Sequence, residues 1–491
     1  MSANNLFLGI DIGTSAVKAV VSDEAGRVVG QASSPLTVSR PRPNWSEQNP
    51  DAWWDAANCA VLGLDAAQRR AVLAIGLSGQ MHGATLLGRD LRPLRPAILW
   101  NDGRSAAECV ALEAECPELP RITGNRAMPG FTAPKLRWVR DHEPQVFRDT
   151  VKVLLPKDYV RLRMTGTLAS DMSDSAGTLW LDVAARDWSD VMLSATGLDR
   201  SHMPALFEGS ALTGELRSEV AQAWGMERVP VAAGGGDNAA GAVGVGVVNP
   251  GDAFLSLGTS GVLFLANATY APNPAGGVHT FCHALPGRWH QMSVVLSAAS
   301  CIDWAVRLCG FSDAASLLAK VEERNAPTRS ELFLPYLSGE RTPHNDPDAK
   351  GVLFGLTHDS DAAAIGQAVL EGVAFAFRDG LDALLDTGAE LGSITVIGGG
   401  ARSKYWGRIL ASALDRPLVY RDGGEVGPAY GAARLAQLAS GGGPLEKVCA
   451  PPPVLQVVEP DASLRETFRA RMAHYRALYR ALRTSFKETA L

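Results

Sequence analysis

The chain has 491 residues, 46% of them hydrophobic and 20% charged, and a net charge of −6. This composition supports large cores and excludes a disordered chain. The negative balance argues against a nucleic-acid partner or an anionic membrane surface.

Length alone suggests about three domains at roughly 150 residues each. The 50 glycines cluster at apparent strand ends and so mark turns, not low complexity. Seven cysteines are scattered with no Cys-x-x-Cys pair, and residues 1–5 lack a charged-then-apolar leader pattern. Reduced thiols and a cytoplasmic location are expected. Ala253 to Gly287 contains no Asp, Glu, Lys or Arg, but Gly, Pro, Ser and Thr interrupt it, so it does not read as a membrane span.

Leu6–Ile12 and Val17–Ser22 read as strands joined by Gly13-Thr14-Ser15, and a third strand opens at Val28. Asn49-Pro50 reads as the cap and first residue of a helix. Leu73–Ser78, Ala97–Trp100 and Val151–Leu155 read as further strands, and Pro156 starts a helix. A short strand from Val231 stops in Gly234-Gly235-Gly236, and Asp237 follows at once. Leu257-Gly258-Thr259-Ser260-Gly261 repeats the first Gly-Thr-Ser turn, and Ile394–Ile397 before Gly398-Gly399-Gly400 repeats the strand-to-glycine exit. Apolar residues at three- and four-residue spacing predict a buried helix over Ser360–Asp386.

Strands alternating with helices give an α/β class, and the internal echo implies two related lobes. The expected division is 1–248, 249–445 and a mainly helical tail over 446–491. The first lobe would hold the sugar and the second the nucleotide.

The glycine turn lets a ligand approach the backbone and puts Asp237 in a cleft. As a general base, Asp237 would take the proton of an attacking hydroxyl. Its plain alternative is a cap on the following helix, and a carboxylate at that helix N-terminus should keep a low pKa. Asp11 ends an apolar strand, where a carboxylate is costly unless paired. It would hold Mg²⁺, or else cap a turn. The two Gly-Thr-Ser turns would grip phosphates through backbone amides and hydroxyls, or be ordinary hairpins. No Gly-x-x-x-x-Gly-Lys-Ser/Thr loop is present.

Met81 and His82 lie between Gly79 and Gly83, in an exposed loop where the imidazole could bond a sugar hydroxyl. Asn101, Asp102 and Arg104 form a second polar loop that either faces the sugar or is a plain turn. His279 and His283 have a zinc-like spacing but no helix pattern to align them, so a metal pair is not expected. The 11 tryptophans read as core, with Trp45 and Trp100 as candidates for stacking on a sugar.

These residues, in order, resemble the FGGY carbohydrate kinases. The resemblance runs through Asp11-Ile12-Gly13-Thr14-Ser15, Trp45-Ser46-Glu47-Gln48, Gly79-Gln80-Met81-His82-Gly83 and Trp100-Asn101-Asp102-Gly103-Arg104. It continues through Pro156-Lys157-Asp158-Tyr159, Gly235-Gly236-Asp237-Asn238, Leu257-Gly258-Thr259-Ser260-Gly261, Pro335 to Arg341 and Gly398 to Ser403. It implies two ribonuclease-H-like lobes of the actin-like ATPase type, closing on a site between them. It implies that ATP with Mg²⁺ phosphorylates D-xylulose to D-xylulose 5-phosphate. Asp237 would be the base, with Asn238, Met81 and His82 at the sugar and Asp11 at the metal-phosphate end. Thr14, Ser15, Gly258 and Thr259 would hold phosphates, and Gly399, Gly400 and Ala401 would approach the nucleoside. Gluconate, ribulose or glycerol kinases of the family are the same-class alternatives, and an actin-like ATPase without a sugar substrate is the other. A homodimer is compatible with this reading.

Overall fold

Seven consecutive buried residues, Leu6–Ile12, form the central strand of the first sheet. Both faces are covered, so the strand reads as a near-continuous apolar run and not as an alternation. The protein is described by a computed structural model that covers residues 5–324, 330–422 and 427–488, with the backbone alone at 401 and 402. Across the first sheet the order is Val28–Pro35, Ala16–Asp23, Leu6–Ile12, Val72–Gly79 and Pro230–Ala232, with Leu212–Glu215 at the far edge. The first two joins are antiparallel and the next two parallel.

The second sheet repeats this plan. Trp289–Val295, Gly261–Asn267 and Ala253–Leu257 are joined antiparallel, and Ile394–Ile397 and Leu418–Arg421 then add in parallel. Two sheets of one connectivity are the two related lobes that the repeated turns imply, of the ribonuclease-H-like kind that the resemblance implies. His279–Cys282 and Val454–Val458 extend the second sheet at its two edges. Sheet membership changes between Gly236 and Ala253.

The helices follow their local signals. Asn49 caps Pro50–Leu62, accepting the Asp51 amide at 3.1 Å. Asp361 caps the long buried helix Ala362–Leu385, accepting the Ala364 amide at 2.8 Å. The segment after 445 is built into the second lobe. Its strand Val454–Val458 joins that sheet, and its helix Arg465–Glu488 places Phe468, Met472, Tyr475 and Tyr479 in the second core.

The helix Gly427–Ala439 departs from sequence order. It lies among second-lobe residues in the chain, yet it packs on Leu6–Ile12 and Val72–Gly79 of the first sheet and crosses the helix Asp237–Val245. Glycine makes the approach possible. A Cβ at Gly431 would lie 1.7 Å from the Ala240 carbonyl oxygen, and one at Gly9 would lie 1.8 Å from that of Ala429. The two lobes are therefore joined by helix backbones in contact, directly behind the residue that ends the glycine turn.

Candidate functional site

Asp237 owes its position to the turn before it. Gly234 has φ +79, and a Cβ there would lie 1.9 Å from the Leu77 carbonyl oxygen, so only glycine fits. Gly235 and Gly236 then pair in parallel with Ser78 and Gly79. Asp237 is the first residue of the helix that runs to Val245. Its Oδ1 accepts the Asn238 amide at 2.7 Å and the Asn238 side-chain Nδ2 at 3.0 Å, which leaves Oδ2 for the cleft. The carboxyl is raised above its ordinary range. Burial is the main cause, and the Asn238 hydrogen bonds oppose it. Desolvation thus outweighs the helix-terminus effect that predicts a low value.

Two cavities meet at Asp237 and Asn238. One, of about 260 Å³, is walled by Met81, His82, Trp100 and Phe131 of the first lobe and by His279, Phe281 and Arg341 of the second. The other, of about 460 Å³, is lined by Gly241, Ser256, Gly398, Gly399 and Pro428. Apolar walls with a few convergent polar groups suit a small hydroxylated ligand in the first.

The polar groups of the smaller cavity have defined hydrogen-bonding roles. His82 Nδ1 lies 2.6 Å from the Gly177 carbonyl oxygen and must donate to it. Its Nε2 is then an acceptor. Burial first, and the charge of Lys135 second, push the imidazole down to about 3, so it is neutral at physiological pH. The Lys135 ammonium is wholly buried and donates to the carbonyls of His82 and Gly130 at 2.9 and 2.7 Å. Asn125 gives its amide protons to the carbonyls of Thr123 and Thr280, so its oxygen accepts from His279 Nδ1 at 2.8 Å. His279 Nε2 is therefore an acceptor too, 3.5 Å from the Arg341 guanidinium. His279 and His283 lie along and just past one strand, about 13 Å apart at the usual rise, so no single ion spans them.

Asp11 lies at the end of the central strand, beside Ser78, and is 8% exposed. Its Oδ1 is buried with no hydrogen-bond partner among the described residues. Burial, reinforced by the nearby charge of Asp237, raises its carboxyl to about 7. A buried carboxylate oxygen without a partner, facing a second acid, fits a divalent cation.

The first Gly-Thr-Ser turn is braced from within. The Thr14 hydroxyl donates to Gln80 Oε1 at 2.9 Å and accepts from Trp100 Nε1 at 3.0 Å. That hydroxyl is thus occupied by the protein, and a phosphate at this turn is left with the backbone amides and the exposed Ser15. In the second turn the carbonyls of Gly258 and Thr259 accept from Ala299 and Ala298, at the start of the helix Ala299–Cys309, while the Thr259 side chain is exposed. At the third turn Gly398 takes φ +92 under the Leu257 carbonyl, and a Cβ on Gly399 would meet nothing within 4 Å. Gly399, Gly400 and Ala401 form one short 3-10 turn there; the Ala401 side chain lies outside the described residues.

Asp102 is placed elsewhere than expected. Its carboxylate accepts the Ser46 amide at 2.6 Å and the Arg104 amide at 2.9 Å, and it pairs with the Arg104 guanidinium at 2.7 Å. It is 2% exposed and does not line the cavity, so it staples its own loop and is not turned to a sugar. Trp45 likewise packs on Trp138 under Arg104, whereas Trp100 does line the cavity. Phe131, His279 and Arg341 carry no local sequence signal for this cavity, because only the fold brings positions so far apart in sequence to one wall.

The model of the FGGY family of carbohydrate kinases, N-terminal domain, matches residues 6–244, and that of its C-terminal domain matches residues 253–440. The chain is 56% identical over 481 residues to a xylulose kinase of Escherichia coli K12, covering 97% of this chain and 99% of the relative. It superimposes with a TM-score of 0.95 on a "xyloylose kinase" of Brucella ovis at 51% identity, covering 98% and 99% of the two chains. A gluconate kinase of Lactobacillus acidophilus matches with a TM-score of 0.93 at 24% identity, covering 99% of each chain, which shows the fold alone. No helix among the described residues is long and apolar enough to cross a membrane. With both lobes matched and the cleft between them built around Asp237, the chain belongs to the FGGY family of carbohydrate kinases.

Proposed function

We propose that this carbohydrate kinase transfers the γ-phosphoryl group of ATP to the terminal hydroxyl of D-xylulose, giving D-xylulose 5-phosphate and ADP. The observation that carries the reading is the place of Asp237, at the junction of a small cavity with polar acceptors and a larger one that ends on Gly398 and Gly399. The high identity to the xylulose kinase of Escherichia coli selects the sugar.

In this reading the sugar lies in the smaller cavity, between Met81, His82, Trp100 and Phe131, and the nucleotide lies along the larger. Asp237 Oδ2 accepts the proton of the terminal hydroxyl while that oxygen attacks the γ-phosphorus. The new O–P bond forms as the bond to the β-phosphate oxygen breaks, and ADP leaves with those electrons. The raised carboxyl of Asp237 suits proton acceptance better than an ordinary surface acid would. His82 Nε2 accepts a sugar hydroxyl. Asp11 would hold Mg²⁺, which when bound neutralises charge on the transferring phosphates. Amides of the Gly13–Ser15 and Gly258–Ser260 turns would hold the phosphate oxygens, and Gly399, Gly400 and Ala401 would border the nucleoside. Seven free thiols fit a cytoplasmic setting.

A coupled ADP-release assay over pentuloses, polyols and sugar acids tests the proposal. D-xylulose should give the highest kcat/KM, with ADP release dependent on the sugar. A higher value for gluconate, ribulose or glycerol, or hydrolysis indifferent to sugar, would reject it.

A further inference from the structure

The small cavity is electrically two-ended. Asp237 forms one end, and its charge reaches Asp11 beyond the lining. Arg341 forms the other. Its charge bears on His82 and His279, both of which it disfavours in their protonated forms. The guanidinium lines the cavity, and the acid that acts on it is its neighbour Glu340, whose carboxyl burial raises to about 8. Its recorded side-chain bond is the long 3.5 Å approach to His279 Nε2. Buried Lys135 is spent on the His82 and Gly130 carbonyls, and burial pushes its amine well below the usual lysine range, so Arg341 is the cation that lines the cavity. A guanidinium whose neighbouring acid is held toward its neutral form is poorly compensated unless a ligand supplies an acceptor.

Chemistry supplies a matching group. A 2-pentulose that closes to a furanose ring uses its own O5, the oxygen to be phosphorylated. The reactive form is therefore the open chain, which carries a free C2 carbonyl about four carbons' length from the attacking oxygen. Trp100 Nε1 is already bonded to Thr14, and Asn238 Nδ2 spends one of its two protons on Asp237, so Arg341 is the charged donor on the cavity wall. Resting on the proposed function above, we infer that Arg341 donates to the C2 carbonyl of the open-chain ketose and so selects a hydroxyketone over the corresponding polyol. The neutral histidines accept hydroxyls beside it.

The test is the ratio of kcat/KM for D-xylulose to that for xylitol, its C2-reduced counterpart, in unmodified enzyme and in Arg341→Met. A charge-assisted bond to the carbonyl predicts that the ratio falls about 10- to 100-fold in the variant, chiefly through KM for the ketose. Arg341→Lys keeps the charge but loses the fork, and should restore part of the ratio. An unchanged ratio in a folded variant overturns the inference and leaves the proposed function standing. Unmodified enzyme that does not turn over D-xylulose overturns both, and the two failures are told apart before any variant is made. A second measurement needs no variant. A five-carbon aldonate, anionic at the end opposite its terminal hydroxyl, should compete with D-xylulose at least about 10-fold more tightly than xylitol does; competition no tighter than the polyol's overturns the inference.

Discussion

The amide of Gly236 donates to the Ser173 hydroxyl at 3.0 Å, and that hydroxyl donates in turn to Asp171. Asp171 lies 2.8 Å from Lys157, whose ammonium also pairs with Asp158 at 2.6 Å and Asp174 at 3.1 Å. Arg161 completes the group and donates to the Ala233 carbonyl. All five charged side chains are buried. The turn that delivers Asp237 is thus held from below by an ion cluster that never reaches the cavity.

Breaking that cluster from the cationic side should unfold the first lobe before it alters chemistry. Lys157→Met leaves three buried carboxyls facing one arginine. The expected loss is about 3–5 kcal/mol, the usual cost of removing one member of a buried ion pair. Urea unfolding measures it, and a loss below about 1 kcal/mol would show that the cluster contributes little. Ser173→Ala is the milder probe. It should cost about 1–2 kcal/mol and lower kcat by loosening Gly236, with KM for ATP little changed.

Asp237→Asn keeps the shape of the side chain and removes its ability to take a proton. Turnover should fall about 10²- to 10⁴-fold, and Asp237→Ala should fall at least as far. Both variants should melt within a few degrees of the unmodified protein, because Asp237 is held by Asn238 alone among the described residues. Turnover within threefold of normal would remove Asp237 from the role of base.

Asp11 makes stability depend on pH in a stated direction. Its carboxyl is raised from 3.8 to about 7, so the folded protein holds a proton that the unfolded chain has released. The associated stability is fully present below pH 4 and is lost as pH rises through 7. The ceiling of this effect is about 4 kcal/mol, and coupling to Asp237 reduces what is observed. Asp11→Asn should therefore raise the melting temperature of the metal-free protein at pH 8 relative to pH 5. Mg²⁺ should raise it for the unmodified protein at pH 8 and not for the variant. Equal responses to Mg²⁺ would take the cation away from Asp11.

The sequence and the structure agree best where the signal is local. Glycine at positive φ, a cap before a proline, and a carboxylate at a strand end all carry their reason within a few residues, and so the local settings of Asp11 and Asp237 and the two-lobed plan are legible directly. Asp102 could not, because its partners are the Ser46 amide, 56 residues away, and Arg104, whose side chain could as well have pointed to the cleft. Lys157 and Asp158 stand out in the sequence, but nothing there says that Asp171 and Asp174 join them in a dry cluster. Arg341 and His279 reach the smaller cavity only because two lobes fold against each other. Low pKa at a helix N-terminus was the right local rule for Asp237, and burial, a property of the whole fold, reversed it.

The crossing of Gly427–Ala439 over Asp237–Val245 gives the last prediction. Gly431 faces the Ala240 carbonyl and the Gly244 amide, and a methyl group there would fall 1.7 and 3.0 Å from them. The obstacle is helix backbone on both sides, which cannot swing aside as a side chain can. The helices must separate, and the one they would move carries Asp237 at its first position. Gly431→Ala should cost about 3 kcal/mol or more, at the upper end for overpacked cores. Any folded fraction should show a lower kcat, because Asp237 shifts relative to the two Gly-Thr-Ser turns. Gly399→Ala is the control: its Cβ would meet nothing within 4 Å, and its melting temperature should stay within a few degrees of normal. If Gly431→Ala melts with the control and keeps the kcat of the unmodified protein, the helix crossing does not set the position of Asp237.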